Sequence, residues 1–170
     1  QLERSSVHRQ SLPKPFGTLA EQKAAAFVGA RAAHVRLVAR KDAEHNINGS
    51  VRELFKGCEE YYGIDKRRGT GVDAVIKAEG FDGRFNYHFC VCTEVLEHEP
   101  DPTTIIKCAK RSLTDGGIFI GTCAAPPRGP HPDHNGEMQP GEHYRNISTN
   151  EIARYLDWEG FQILTLQFHP

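Results

Sequence analysis

Apolar residues along the chain follow two periodicities, one typical of buried strands and the other of amphipathic helices. Residues 85–92, FNYHFCVC, form a largely apolar run, which predicts a central parallel strand covered on both faces. Between the apolar runs, apolar residues recur at helical spacing, so strands and helices are expected to alternate. Further short apolar segments predict five other strands, at residues 34–39, 60–65, 72–76, 118–123 and 161–168.

Capping signals mark where the helices are expected to begin. A hydroxyl residue stands three positions before a Glu at TLAE (18–21), SVRE (50–53) and STNE (148–151), which is the pattern of a capping box. Asp101 before Pro102 supplies a fourth start, with an N-cap residue ahead of a proline in the first turn. The helix that starts at residue 18 is expected to end near residue 33, and the one that starts at residue 50 is expected to end at Gly57. The helix after Asp101 is expected to end near Leu113, and the one that starts at residue 148 is expected to end at Gly160.

This order of elements predicts an α/β protein with a Rossmann-like, mostly parallel sheet and helices on both faces. A chain of 170 residues suits one domain, expected over residues 18–170. Residues 1–17 are polar, contain Pro13 and Pro15, and are expected to form an N-terminal arm. Because the chain begins at Gln1 and lacks the pattern of a signal peptide, we interpret its start as trimmed.

Composition narrows the classes of partner. The formal net charge of -1 provides no overall field that would attract nucleic acid or a membrane surface. No apolar run is long enough to cross a bilayer. The five cysteines include no CxxC pair, and Cys90 and Cys92 alternate within a predicted strand, which indicates core packing in a reducing, cytoplasmic compartment.

The segment CTEVLEHEPDP (92–102) is the most informative part of the chain. It follows the predicted central strand and contains Glu94, Glu97, His98 and Glu99. In open α/β sheets, ligands bind in the crevice outside the carboxyl ends of the strands. We therefore expect chemistry or cofactor contact in this loop.

Asp65 ends the second predicted strand, within YYGIDKRRGTGVD. An acidic side chain in this position can accept two hydrogen bonds from a ribose diol. A surface aspartate that caps a turn would give the same pattern, so both interpretations stay open.

Residues 124–146 form a long loop rich in Pro, Gly and His, and such a loop in a compact domain is often functional. Tyr144 and Arg145 are predicted to line a pocket, whereas His131 and His134 are predicted to lie in a solvated part of the loop. A divalent metal held by residues of this loop is an alternative, although their spacing matches no strong zinc template and no metal site is predicted. The candidate ligands for that alternative are His131, Asp133, His134, Glu142 and His143.

Four segments together resemble the class I S-adenosylmethionine-dependent methyltransferases, most closely small bacterial and phage-type members of the methyltransferase type 11 kind. They are GIDKRRGTGVDAVIKA, FCVCTEVLEHEPDP, LTDGGIFIGTCAAPPRGPH and EHYRNIST, within residues 35–168. The resemblance implies a seven-stranded Rossmann-like sheet, S-adenosylmethionine bound across the strand ends, and methyl transfer to an unidentified acceptor.

The resemblance also implies roles for individual residues. Asp65 would hold the ribose hydroxyls, the amide of Ala78 would meet the adenine ring, and Thr93 and Glu94 would lie near the methionine portion. The full cofactor-binding set is Ala43, Glu44, Asp65, Lys66, Lys77, Ala78, Thr93 and Glu94. The substrate-binding set is Glu97, His143, Tyr144 and Arg145, and the catalytic candidates are His98 and Tyr144.

His98 is the candidate general base because an imidazole titrates near neutral pH. The alternative is that His98 caps its loop or orders Glu97. The predicted acceptor is a small or sugar-like molecule, with neither nucleic acid nor a membrane as a partner. The sequence does not predict an oligomeric state.

The chain departs from the methyltransferase pattern in its first loop. At residues 41–44, KDAE, Lys41 stands at a usually acidic position and Ala43 at the first glycine. Lys77 stands where an Asp often contacts the adenine amine, and lysine has no acceptor for that hydrogen bond. A last strand is expected to be missing or to lie outside the chain. A non-catalytic Rossmann-like binding module with a decayed cofactor site is therefore the alternative function.

Overall fold

A computed structural model describes residues 36–40, 51–55, 57–69, 71–83, 87–132 and 137–168. Of residues 36–40, 53 and 54 it describes the backbone alone. The predicted arm, the predicted first helix at 18–33 and the first loop at 41–44 lie outside the described residues, as do Asp133 and His134.

Five strands form one sheet in which every pair is parallel. They are β1 (Arg36–Arg40), β2 (Glu60–Asp65), β3 (Ala74–Val75), β4 (Tyr87–Thr93) and β5 (Leu113–Thr122). Their order across the sheet is β3-β2-β1-β4-β5, so the chain reverses its direction of travel between β1 and β4. This confirms the predicted fold class and places the ligand crevice of such sheets at the carboxyl ends of β1 and β4.

Two α-helices lie within the described residues, α1 (Thr103–Ser112) and α2 (Thr149–Trp158). The N-cap of α1 is Pro102, one residue later than the predicted Asp101. Asp101 precedes it, and its Oδ1 accepts hydrogen bonds from the Thr103 amide at 3.0 Å and the Thr103 hydroxyl at 2.6 Å. The predicted capping box of α2 is present between Ser148 and Glu151. Three short 3-10 turns complete the described elements, at Val51–Phe55, Ala78–Gly80 and Leu96–His98. None of the described helices has the length and apolarity needed to cross a membrane.

Strand β4 is the centre of the core. All its side chains except that of His88 are buried, as the apolar run predicts. Cys90 and Cys92 are buried and form no disulfide, which confirms their packing role. Helix α1 covers one face of the sheet and buries an apolar stripe that includes Ile105, Ile106, Cys108 and Ala109.

The start of β5 was predicted too late, at residue 118 instead of Leu113. In the structure Leu113 pairs with Tyr87, and the next pair is Ile118 with Phe89. Residues 114–117 therefore bulge out of a strand that continues on both sides. Gly116 has φ 73°, which is the left-handed conformation that permits such a bulge.

The predicted strand at 161–168 is wrong. Phe161 packs on Phe119 of β5, with ring centroids 5.7 Å apart, but the residues that follow form no regular element. Among the described strands none pairs with this segment, and a strand without a hydrogen-bonding neighbour is not stable alone. Its apolar side chains consequently remain exposed, at Ile163, Leu164, Leu166 and Phe168.

The connection from β2 to β3 folds back onto β2 at Gly63. The Gly63 amide donates to Asp73 Oδ2 at 2.7 Å, and the Asp73 amide donates to the Gly63 carbonyl at 2.8 Å. Arg52 anchors the same aspartate through an ion pair of 2.9 Å and also donates to the Tyr61 carbonyl. A Cβ atom at Gly63 would lie 2.0 Å from the carbonyl oxygen of Gly71, so only glycine fits.

Replacing Gly63 by alanine should therefore destabilise the protein by roughly 2–4 kcal/mol, since backbone must move to admit the methyl group. Urea unfolding followed by circular dichroism measures the change. Gly129→Ala is the matched control, because a Cβ there meets nothing within 4 Å, and it should change stability by less than about 0.5 kcal/mol. Equal stabilities of the two variants would show that the close approach at Gly63 is not rigid.

Candidate functional site

Polar side chains collect where three strands end at the carboxyl edge of the sheet. Asp65 ends β2 and is 1% exposed, and its Oδ1 accepts a hydrogen bond from the Arg67 amide at 2.8 Å. Thr93 ends β4 and pairs in the ladder with Thr122, which ends β5. The hydroxyl oxygens of both threonines are buried and have no hydrogen-bond partner among the described residues. This edge therefore holds polar groups that apolar packing does not explain.

Glu94 leaves the end of β4 in a left-handed conformation. Its φ is 53°, which is uncommon for a residue other than glycine and is typical of functional turns. The Glu94 amide donates to the Thr122 carbonyl at 3.0 Å, and the carboxylate forms an ion pair with Arg128. The turn thus directs the Glu94 side chain toward the loop that follows β5.

Glu97 is fully buried in the 3-10 turn after Glu94. Neither carboxylate oxygen makes a hydrogen bond of normal geometry within the described part of the chain. Burial, followed by the negative charge of Glu94, raises the pKa of Glu97 to about 8. The nearby amides of Glu97 and Ala124 and the Arg128 cation lower this pKa only in part. Without further partners, Glu97 is therefore largely protonated at neutral pH.

Three rings meet beside Glu97. The centroid of His98 lies 5.1 Å from that of His131 and 5.6 Å from that of Tyr144. His131 and Tyr144 are 4.6 Å apart and pack edge to face. Burial and then the Arg128 cation lower the pKa of His131, so its imidazole is neutral near pH 7. Burial raises the pKa of Tyr144, so its phenol also stays neutral.

Hydrogen bonds hold two distant stretches of loop against the turn at 96–98. The Arg145 amide donates to the Glu97 carbonyl at 3.0 Å, and the Ile147 amide donates to the Ala124 carbonyl at 2.9 Å. Asn146 donates from Nδ2 to the Arg128 carbonyl at 2.7 Å and accepts from the Tyr144 hydroxyl at 2.7 Å. These bonds position the rings of His131 and Tyr144 over His98.

Of the predicted substrate residues, the structure brings Glu97 and Tyr144 together and places Arg145 elsewhere. The Arg145 guanidinium turns toward α2, where it binds Glu151 at 2.9 Å and the Tyr155 hydroxyl at 3.0 Å. His143 is half-buried, and its Nε2 is buried without a hydrogen-bond partner among the described residues.

Of the predicted cofactor residues, three besides Asp65, Thr93 and Glu94 are described. Ala78 is buried in the turn after β3, Lys66 is half-buried and Lys77 is exposed. Ala43 and Glu44 lie outside the described residues.

Sequence reasoning missed Arg128 and underrated His131. Both follow β5 in the loop PPRGPH, and the structure places them against residues that follow β4. The neighbouring positions of β4 and β5 were the signal that could have linked the two loops.

The comparisons with known proteins come from structure alone, since no family model matches the sequence and no curated protein is significantly similar to it. The [4+2]-cyclase SpnF aligns with a TM-score of 0.60 and 18% identity, over 85% of this chain and 59% of SpnF. The sugar N-methyltransferase KedS8 from Streptoalloteichus sp ATCC 53650 aligns with a TM-score of 0.49 and 14% identity, over 74% of this chain and 60% of its own. The CcbJ methyltransferase from Streptomyces caelestis aligns with a TM-score of 0.46 and 18% identity, over 62% of this chain and 49% of CcbJ.

The chain has a Rossmann-like α/β fold, similar to that of SpnF. It spans about three fifths of the length of SpnF. Since SpnF is a cyclase, the fold by itself does not define the reaction.

The environment of Glu97 predicts how stability depends on pH. The native state holds a proton up to about pH 8, which the unfolded state releases near the ordinary glutamate value of 4.5. Stability should therefore fall as pH rises through this window, by at most about 1.4 kcal/mol per pH unit. Glu97→Gln should remove the decline and be the more stable protein at pH 8, as measured by urea unfolding in chelator-treated buffer.

Glu79→Gln is the matched control, because it changes an exposed carboxyl in the same way and should keep the wild-type decline. A Glu97→Gln curve that runs parallel to the wild-type curve would contradict the assignment.

Proposed function

We propose that this protein transfers a methyl group from S-adenosylmethionine to a small acceptor, as small members of the type 11 kind do. The observation that supports this best is the carboxyl edge of the sheet. Buried polar groups of β2, β4 and β5 lie there, and the cluster of Glu97, His98 and Tyr144 lies directly beyond β4.

The residues on the cofactor side fit S-adenosylmethionine at two points. Asp65 is an acidic group at the end of β2, next to β1, where a ribose diol is bound in Rossmann-like folds. Thr93 offers a buried hydroxyl that has no partner among the described residues. When bound, the cofactor supplies an activated methyl group on its sulfonium.

On the acceptor side, the protein must orient a nucleophile and exclude water. Tyr144 and His131 pack against His98, which is only 7% exposed, and so shield its ring from water. A hydroxyl or amine acceptor of modest size suits this surface. In this proposal His98 receives the proton of the acceptor, and Tyr144 positions the acceptor through its ring.

The contact between Arg128 and Glu94 favours a second candidate, a non-catalytic binding module. The ion pair engages Glu94 at the end of β4, where the methionine portion of the cofactor is expected. If the pair is permanent, it blocks the cofactor and leaves a module that binds a partner.

Titration calorimetry with S-adenosylmethionine and with its demethylated product tests the proposal. The wild-type chain should bind both, and Asp65→Ala should abolish or weaken binding by at least about tenfold, because two hydrogen bonds to a charged group are lost. Asp115→Ala is the matched control, since it removes an exposed aspartate from the amino-terminal part of β5, and its affinity should equal that of the wild type.

Absence of heat with either ligand at millimolar concentration would refute methyl transfer and favour the binding module. Binding that is equal in Asp65→Ala and the wild type would refute the ribose role alone. Circular dichroism of each variant verifies that the fold is intact.

A further inference from the structure

Glu97, His98 and His131 bring three metal-binding groups to one point. One ligand atom from each side chain lies within 4.8 Å of the other two. Some point therefore lies within about 2.8 Å of all three, and Zn–ligand bonds are roughly 2.0–2.2 Å long. Closing this difference takes less than about 1 Å of movement per side chain, which small rotations of a side chain can supply.

From this geometry we propose that Glu97, His98 and His131 bind a divalent transition-metal ion such as Zn²⁺ or Fe²⁺. Two imidazoles and one carboxylate are a ligand set that both ions favour. The set joins the turn after β4 to the loop after β5. It differs from the alternative suggested by the sequence, in which the loop alone supplied every ligand.

The state of Glu97 supports a cation at this point. Its carboxylate is fully buried, and neither oxygen has a hydrogen-bond partner of normal geometry among the described residues. Leaving such a group unsatisfied costs stability, whereas a metal ion would satisfy it and supply the missing positive charge. Glu94 lies close enough to affect Glu97 electrostatically, and Arg128 balances part of that negative charge.

His131 is prepared for the same role. Its imidazole packs against the rings of His98 and Tyr144, with centroids 5.1 Å and 4.6 Å away. Its Nδ1 lies 3.5 Å from the Gly129 carbonyl oxygen. A proton on Nδ1, directed at this carbonyl, would leave Nε2 as the metal-binding nitrogen.

Three protein ligands leave coordination positions open, as in catalytic rather than structural sites. The next consequence rests on the proposed function. A metal-bound hydroxyl group of the acceptor would lose its proton to solvent more readily, so that the ion would activate the acceptor. His98 would then be a ligand and not the general base, and the acceptor class would be a molecule that coordinates metal through oxygen.

The experiment uses tag-free protein stripped with a chelator and no S-adenosylmethionine. Zn²⁺ is titrated against a chromophoric chelator, and Co²⁺ is added separately to record its visible spectrum. The wild type should bind one equivalent. Loss of a group that merely orients a ligand weakens metal binding about 10- to 100-fold, so Glu97→Gln and His131→Gln should each weaken it at least as much.

His88→Gln is the matched control, because His88 is exposed near the start of β4, outside the cluster. It should bind metal as the wild type does. His131 is only half-buried, so His131→Gln keeps the test valid even where a variant of buried Glu97 fails to fold.

A wild type that binds no more Zn²⁺ than His131→Gln, or a Co²⁺ spectrum identical to that of aqueous Co²⁺, would overturn the site. Because metal binding and cofactor binding are measured separately, either proposal can fail while the other stands.

Discussion

Burial of β4 on both faces is the constraint on which the rest of the structure depends. A strand covered on both sides has no place for charged groups along its length, so they collect where the strand ends. Thr93 ends β4, and residues 94–98 follow it directly. The parallel arrangement brings the ends of β2 and β5 to the same edge of the sheet. The chemistry of this chain is concentrated at one edge because the interior of the sheet excludes it.

Most of the architecture could be predicted from local patterns. The bounds of β2 agree with its apolar pattern, the capping box at Ser148 forms as expected, and the cysteines of β4 pack in the core. These features depend on residues close together in sequence, where periodicity and capping chemistry determine the outcome. For the same reason, Asp65 could be placed at the end of β2, and Glu94 and Glu97 just beyond the end of β4.

The remaining features depend on contacts between distant segments. The bulge in β5 could not be predicted, because DGG is equally suited to a turn between elements and to an interruption within a strand. The segment at 161–168 has the composition of a strand, but pairing requires a neighbour that local pattern does not reveal. The meeting of His98 with His131 depends on hydrogen bonds of the loops to Glu97 and Ala124, and no spacing in the sequence encodes it.

The packing of Gly63 against Gly71 has a consequence for how this protein can evolve. Asp65 follows Gly63 by two residues, and both are held by backbone contacts with the β2–β3 connection and by the anchor between Arg52 and Asp73. The carboxylate at the end of β2 is therefore held in place by its own strand and by the segment that follows it. Selection for this packing keeps the scaffold constant even where ligand preference drifts.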